Sequence, residues 1–260
     1  MGHSKNLDET ALWKEYKKKA DAGSERCIWV KKVYEYATNY LKDVRRNFGN
    51  YTLHDETHIL NVLYAMGGLL GDQISNLTVG ELELLILVAS LHDVGMVYTD
   101  EEQKAQYEDT EACKRFLREH YPEFMGSAAE EWTEDMRQWY LRSLHSERVA
   151  EVLHNEAWKE LISQRPRDVV PLQCIVSVCE AHGYNPSDMD GNHDLDYLNA
   201  NDVSPLFCAL LLRLGDLLDF DDTRAPKVLC SYVGDNEKSI EEWKKHQDSI
   251  GFVYPASPST

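Results

Sequence analysis

The 260-residue chain reads as a succession of apolar stripes at helical spacing. It has almost none of the two-residue alternation that a half-buried strand shows. Ala, Leu, Glu and Lys fill the periodic stretches. The spacing predicts helices over 8–22, 25–47, 55–70, 79–94, 110–120, 134–144, 146–163, 169–182, 204–220 and 239–248. Thr78-Val79-Gly80-Glu81 has the form of an N-terminal cap with an acidic first turn, and Gly71 follows Leu70 as a stop signal. Pro166, Pro171 and Pro205 stand near helix starts, where proline is tolerated. Residues 184–202, crowded with Asn, Asp, Gly and Pro, read as a loop. The expected architecture is all-α. A helical extension covers 1–48, the main domain 49–228, and a C-terminal helix and tail 229–260. That tail ends without closing an element, as the start of a further domain would.

Several stripes carry the wrong kind of residue. Leu82, Leu85 and Ala89 are followed on the same face by His92, and Asp93 comes next. A buried carboxylate costs several kcal/mol unless a cation neutralises it, and no Lys or Arg lies within ten residues of Asp93. His58 is in line with Val62, Ala65 and Leu69, and His145 leads Val149 and Val152. His182 ends a stripe of Leu172, Ile175 and Cys179, and Asp216 one of Leu206, Ala209 and Arg213. Five helices thus each bring a His or Asp to an inward face. Imidazoles with carboxylates suit first-row divalent cations: Mn²⁺, Fe²⁺, Co²⁺, Ni²⁺ or Zn²⁺. Six ligands exceed the need of one ion and suit two ions bridged by a carboxylate.

The charge balance narrows the partners. Lys and Arg number 27 against 45 Asp and Glu, a formal net charge of −18. That opposes nucleic acid and an anionic membrane surface as partners. The longest apolar run, 84–91, is far short of a membrane span, and the N-terminus lacks the apolar core of a signal peptide. The six cysteines form no CxxC pairs and read as reduced, buried small hydrophobes of a cytoplasmic protein. The aromatics Trp13, Tyr16, Trp29, Tyr34, Tyr36 and Tyr40 of the first helices fit either a core or the surface of a homo-oligomer.

The order His58, His92-Asp93, His145, His182, Asp216, set in the texts HDETHILNVL, LVASLHDVGM, LHSERVAEVL, VCEAHGYN and LLRLGDLLDFDDTR, resembles the HD superfamily of metal-dependent phosphohydrolases over about 51–224. The resemblance implies a helical fold and one or two divalent ions, Mg²⁺ included. It places one ion on His58, His92, Asp93 and Asp216 and a second on His145 and His182, with Asp93 bridging. The implied chemistry is attack of a metal-activated water on phosphorus, with a nucleotide or other small phosphate ester as substrate. Met96 stands where many HD phosphodiesterases have Lys, and Gly183-Tyr184-Asn185 replaces the Gly-Tyr-Pro of the cyclic-dinucleotide branch. The LLRLGDLLDFDDTR text and Trp243-Lys244-Lys245-His246 are similar to HD domains that precede a GHKL-type ATPase.

On this reading His54, one helical turn before His58, contacts the substrate or leaving group as a catalytic residue beside Asp93 and Arg213. Arg142, Arg148, Arg213 and Arg224 bind phosphate oxygens. Asp219 and Asp222 orient ligating imidazoles. Arg213, on an apolar face, fits an ion pair with a buried acid as well as it fits a phosphate. The competing function is a catalytically silent module that binds metal or nucleotide and controls an attached ATPase. A nuclease is the third, against the charge.

Overall fold

Helix α5 (Val79–Leu91) carries apolar residues all round and presents no polar face to solvent. It is buried at every position from Leu82 to Leu91. The computed structural model describes residues 5–48, 55–108, 110–189, 191–196, 203–219 and 244–245, and α5 lies at its centre. Around it run α1 (Ala11–Ala20), α2 (Glu25–Tyr40), the short α3 (Val44–Asn47) and α4 (Glu56–Leu70). Next come α6 (Asp100–Gln106), α7 (Glu111–His120), α8 (Glu134–Ser143), α9 (Val149–His154), α10 (Glu156–Ser163) and α11 (Leu172–Ala181). The turns α12 (Pro186–Met189) and α13 (His193–Asp196) lead to α14 (Pro205–Leu217). No strand occurs among the described residues, so the fold is the expected all-α bundle.

Helices α1, α2, α4, α11 and α14 all pack on α5. One apolar core runs from Leu7 through Leu212. Thr78 and Glu81 start α5 with the reciprocal capping box its sequence suggests. Trp13, Tyr16, Trp29 and Tyr34 are buried in the core, which decides between their two readings. Tyr36 and Tyr40 lie nearer the surface, edge-on to Trp158 at 4.6 and 5.4 Å between ring centroids.

The helix expected over 146–163 is broken at Asn155. Its side chain accepts from the N–H groups of Ala157 and Trp158 and starts α10 afresh; asparagine competes for backbone donors and so favours a cap over a helix interior. The stretch 25–47 is likewise interrupted by a tight turn at Leu41–Asp43. Conversely, Thr99 and Glu102 form a second capping box that opens α6 inside what reads as connecting loop. The helix expected over 239–248 lies outside the described residues apart from 244–245.

One charged residue is locked into the centre. Glu83 of α5 is fully buried. It accepts from the Tyr16 hydroxyl at 2.7 Å, the Arg26 guanidinium at 2.9 Å and the Val170 N–H at 2.8 Å. It therefore ties α1, α2 and the segment before α11 to the central helix. Glu83→Ala strands three donors at once and is expected to lower unfolding free energy by about 3 kcal/mol, read from urea denaturation.

Between α5 and α9 the chain makes a satellite. Cys113, Phe116, Leu117, Trp132, Met136, Tyr140 and Leu144 form a separate apolar cluster under α7 and α8. On the far side, α14 crosses α4 closely enough that a Cβ on Gly215 would come 2.8 Å from Met66 Cγ and 3.2 Å from the Val62 carbonyl. That contact seats Asp216 beside His58. The described cysteines, Cys27, Cys113, Cys174, Cys179 and Cys208, are free thiols. Among the described residues no single helix is long and apolar enough to cross a membrane.

Candidate metal centre

The histidines at issue stand mostly at helix ends. His92 is the C-terminal cap of α5, and its N–H is donated to the Val88 carbonyl. Asp93 then turns the chain at φ −99°, ψ 0°, in the sparsely populated bridge region where functional residues often sit. His182 caps α11 in the same way, and His145 lies in the turn after α8. His58 sits in the first turn of α4, which Asp55 caps by accepting from the Thr57 N–H. Asp216 occupies the last turn of α14. Helix C-termini carry partial negative charge, so the ends of α5, α8, α11 and α14 together favour a cation.

These ends converge. His58 Nε2 lies 3.1 Å from His92 Nε2, 3.1 Å from Asp93 Oδ2 and 3.4 Å from Asp216 Oδ1. His92 Nε2 is 3.3 Å from Asp93 Oδ2 and 4.0 Å from Asp216 Oδ1. On the other side of the carboxylate, His145 Nε2 is 3.5 Å from Asp93 Oδ1 and 2.8 Å from His182 Nε2. Two groups result, His58–His92–Asp93 and Asp93–His145–His182, either of which could hold a metal ion. Asp93 belongs to both and offers one oxygen to each.

The tautomers decide what the cluster can bind. His58 donates from Nδ1 to Asp219 Oδ2 at 2.6 Å. His92 donates from Nδ1 to the Ala89 carbonyl at 3.0 Å, His145 to the Arg142 carbonyl at 2.6 Å, and His182 to the Cys179 carbonyl. All four acceptors can only accept, so each Nδ1 carries the proton and each Nε2 presents a lone pair. The Nε2 pairs therefore set lone pair against lone pair at hydrogen-bond distance, with carboxylate oxygens beside them. A divalent cation among them, or a proton taken up by one of the imidazoles, reconciles that arrangement. Ligand atoms about 2.1 Å from a divalent ion stand about 3.0–3.5 Å apart at octahedral to tetrahedral angles, and most of the separations above fall there.

Electrostatics hold His145, His182 and Asp216 in their ligating form, whereas His92 must shed any proton it holds when a metal binds. Burial pushes His145 downward, and it pushes His182 well down, with the neighbouring His145 and His92 adding to the shift. Both stay neutral. Burial also acts on His92, but the adjacent Asp93 carboxylate outweighs it and raises that histidine. For Asp216 burial is overcome by His58 and His92, which hold its carboxyl below the ordinary range. Neutral imidazoles and ionised carboxylates are what a divalent ion requires. His58, His92 and Asp93 are buried, whereas the side chains of His145 and Asp216 retain 17% and 32% exposure; the cluster meets solvent on their side.

The other expected residues divide. Asp219 is in place: buried, it holds His58 and receives 2.8 Å donation from Asn61 Nδ2. Arg142 is exposed beside His145, close enough for its charge to act on that imidazole. Two arginines require correction. Arg148 is buried, donates to the carbonyls of Gly95 and Val97 at 2.6 and 3.1 Å, and stacks 3.6 Å from the Tyr98 ring centroid. It braces the turn behind Asp93 instead of meeting a phosphate. Arg213 makes no ion pair among the described residues: it donates to the carbonyls of His182 and Tyr184 and holds the turn after α11. His54, Asp222 and Arg224 lie outside the described residues. Asn61, absent from the sequence reading, enters through Asp219.

Residues 48–258 match the family model described as HD-CE. No curated protein and no solved structure matches the chain significantly.

Proposed function

The chain belongs to the HD-CE family, and from that premise we propose that it is a divalent-metal-dependent phosphohydrolase acting on a nucleotide or another small phosphate ester. The observation that carries this reading is the four-imidazole donor set with all Nδ1 protons turned outward, divided by one shared carboxylate. His58, His92, Asp93 and Asp216 would hold one ion, and His145 and His182, with Asp93 between, a second. Bound there, the ions supply Lewis acidity towards phosphoryl oxygens and lower the pKa of water. Imidazole donors favour Mn²⁺, Fe²⁺, Co²⁺, Ni²⁺ or Zn²⁺ over Mg²⁺, which prefers oxygen.

The chain's own residues do the rest. The Nδ1 bonds fix each ring so that no reorganisation is needed on loading. Arg142, exposed beside His145, is placed to take a phosphate oxygen as the ester arrives on the exposed side. Asp219 accepts the Nδ1 proton of His58 and so aims its Nε2 into the cluster.

One observation favours a second reading. Met96, where many HD phosphodiesterases carry Lys, is fully buried and brings no cation to the substrate. A silent module that binds metal or nucleotide and controls an attached ATPase domain would have no need of one. The test is elemental analysis of the purified chain, with turnover measured on a chromogenic phosphodiester and a nucleotide panel in Mn²⁺, Co²⁺ or Ni²⁺. About two ions per chain and chelator-sensitive turnover are expected. Ions without turnover on any ester would select the regulatory module, and a chain that retains no ion would overturn both readings.

A further inference from the structure

Behind His58 the polar contacts continue outward. Asp219 accepts the His58 Nδ1–H at 2.6 Å on one oxygen and the Asn61 amide at 2.8 Å on the other. Asn61 in turn accepts from the Lys5 ammonium at 2.6 Å. Asn61 is buried and lies one turn after His58 on α4. Tyr64, one turn further, places its ring 5.8 Å below the same ammonium. Lys5 is anchored at its own end, because Asn6 caps the turn Leu7–Glu9 by accepting from the Glu9 N–H, and Leu7 is buried.

We propose that Lys5, acting through Asn61 and Asp219, is a positioning residue for the metal site built on His58. Lys5 lies outside the stretch that matches the family model, so the N-terminal extension is part of the site's machinery. An asparagine amide can present either its oxygen or its NH2 to a neighbour, and the two orientations are nearly equal in shape. A lysine can only donate. With Lys5 on Oδ1, the NH2 of Asn61 must face Asp219. Without Lys5 the amide loses the donor that holds Oδ1 outward, and turning would set its oxygen against the carboxylate and loosen the grip on His58. The ammonium also lies two links from a region holding Asp93, Asp216 and Asp219, where a fixed positive charge offsets part of the acid.

This inference rests on His58 being a metal ligand, and the experiment separates the two. Full-length wild type, Lys5→Met, Lys5→Arg and Asn61→Leu are titrated with Co²⁺ against a competing chelator. The visible absorption reports geometry, and apo-protein melting reports the fold. Lys5→Met and Asn61→Leu are each expected to weaken one of two Co²⁺ ions by on the order of tenfold, the scale of outer-shell losses. The second ion stays as in wild type, Lys5→Arg restores the first, and the apo melting of Lys5→Met is unchanged. Lys5→Met binding both ions like wild type would overturn the proposal. So would equal weakening of both ions with a lowered apo melting temperature, which marks a structural role. If wild type itself bound no Co²⁺, the metal reading would fall and this proposal with it.

Discussion

Asp93→Ala is expected to abolish hydrolysis and to empty the His145–His182 half of the metal centre while leaving the helical content intact. Its carboxylate is the member shared by the two ligand groups. Oδ2 stands 3.1 Å from His58 Nε2, and Oδ1 stands 3.5 Å from His145 Nε2. Removing it takes away the carboxylate that lies between the two imidazole pairs. The His145–His182 half is left with two ligands, and the His58–His92 half keeps Asp216 as its one carboxylate. Metal stabilisation of a transition state is worth several kcal/mol, so at least about a thousandfold fall in turnover follows. Elemental analysis should drop from about two ions per chain to one or fewer. Turnover that persists in Asp93→Ala would refute the mechanism.

Gly95→Ala is the second large expectation, and it acts through packing. A Cβ at this position would lie 1.9 Å from the His145 carbonyl oxygen, 2.9 Å from its carbon and 3.2 Å from Arg148 Cβ. The first two are backbone atoms and cannot swing aside. Overpacking usually costs about 1–3 kcal/mol where side chains can adjust; here the loss should exceed about 4 kcal/mol, measured by urea denaturation. Whatever folds should hold His145 displaced and bind its ion weakly. Gly23→Ala is the control, since its nearest neighbour would be 3.9 Å away, and it should change stability little. The glycine two residues after Asp93 is thus explained by the backbone of a distant turn.

The clustered side chains are legible because each is a local anomaly, an imidazole or carboxylate where an apolar stripe calls for Leu or Val. His92 after Leu82, Leu85 and Ala89, and Asp216 after Leu206 and Ala209, need no tertiary knowledge to stand out. The helical class was legible for the same periodic reason. Arg148 and Arg213 were misread because their targets are peptide carbonyls, which exist in every residue and acquire meaning only when a turn places them. Asn61 carried no signal at all: a single amide within an apolar helix gains its role from a carboxylate 158 positions away. The break at Asn155 and the Thr99–Glu102 box, by contrast, were written in residues that favour caps.

Three of the four imidazoles take their outward bond from the carbonyl three residues earlier on their own chain, whereas His58 depends on a partner 161 positions away. A ring aimed by its own helix end is portable. Gaining or losing the His145–His182 half then requires rewriting two short peptide segments, and the rest of the interior can stay as it is. The His58 half has no such freedom, since its support is spread along most of the polypeptide. Diversification in chains built this way should therefore be uneven, quick at the His145–His182 half of the cluster and conservative at the His58 half.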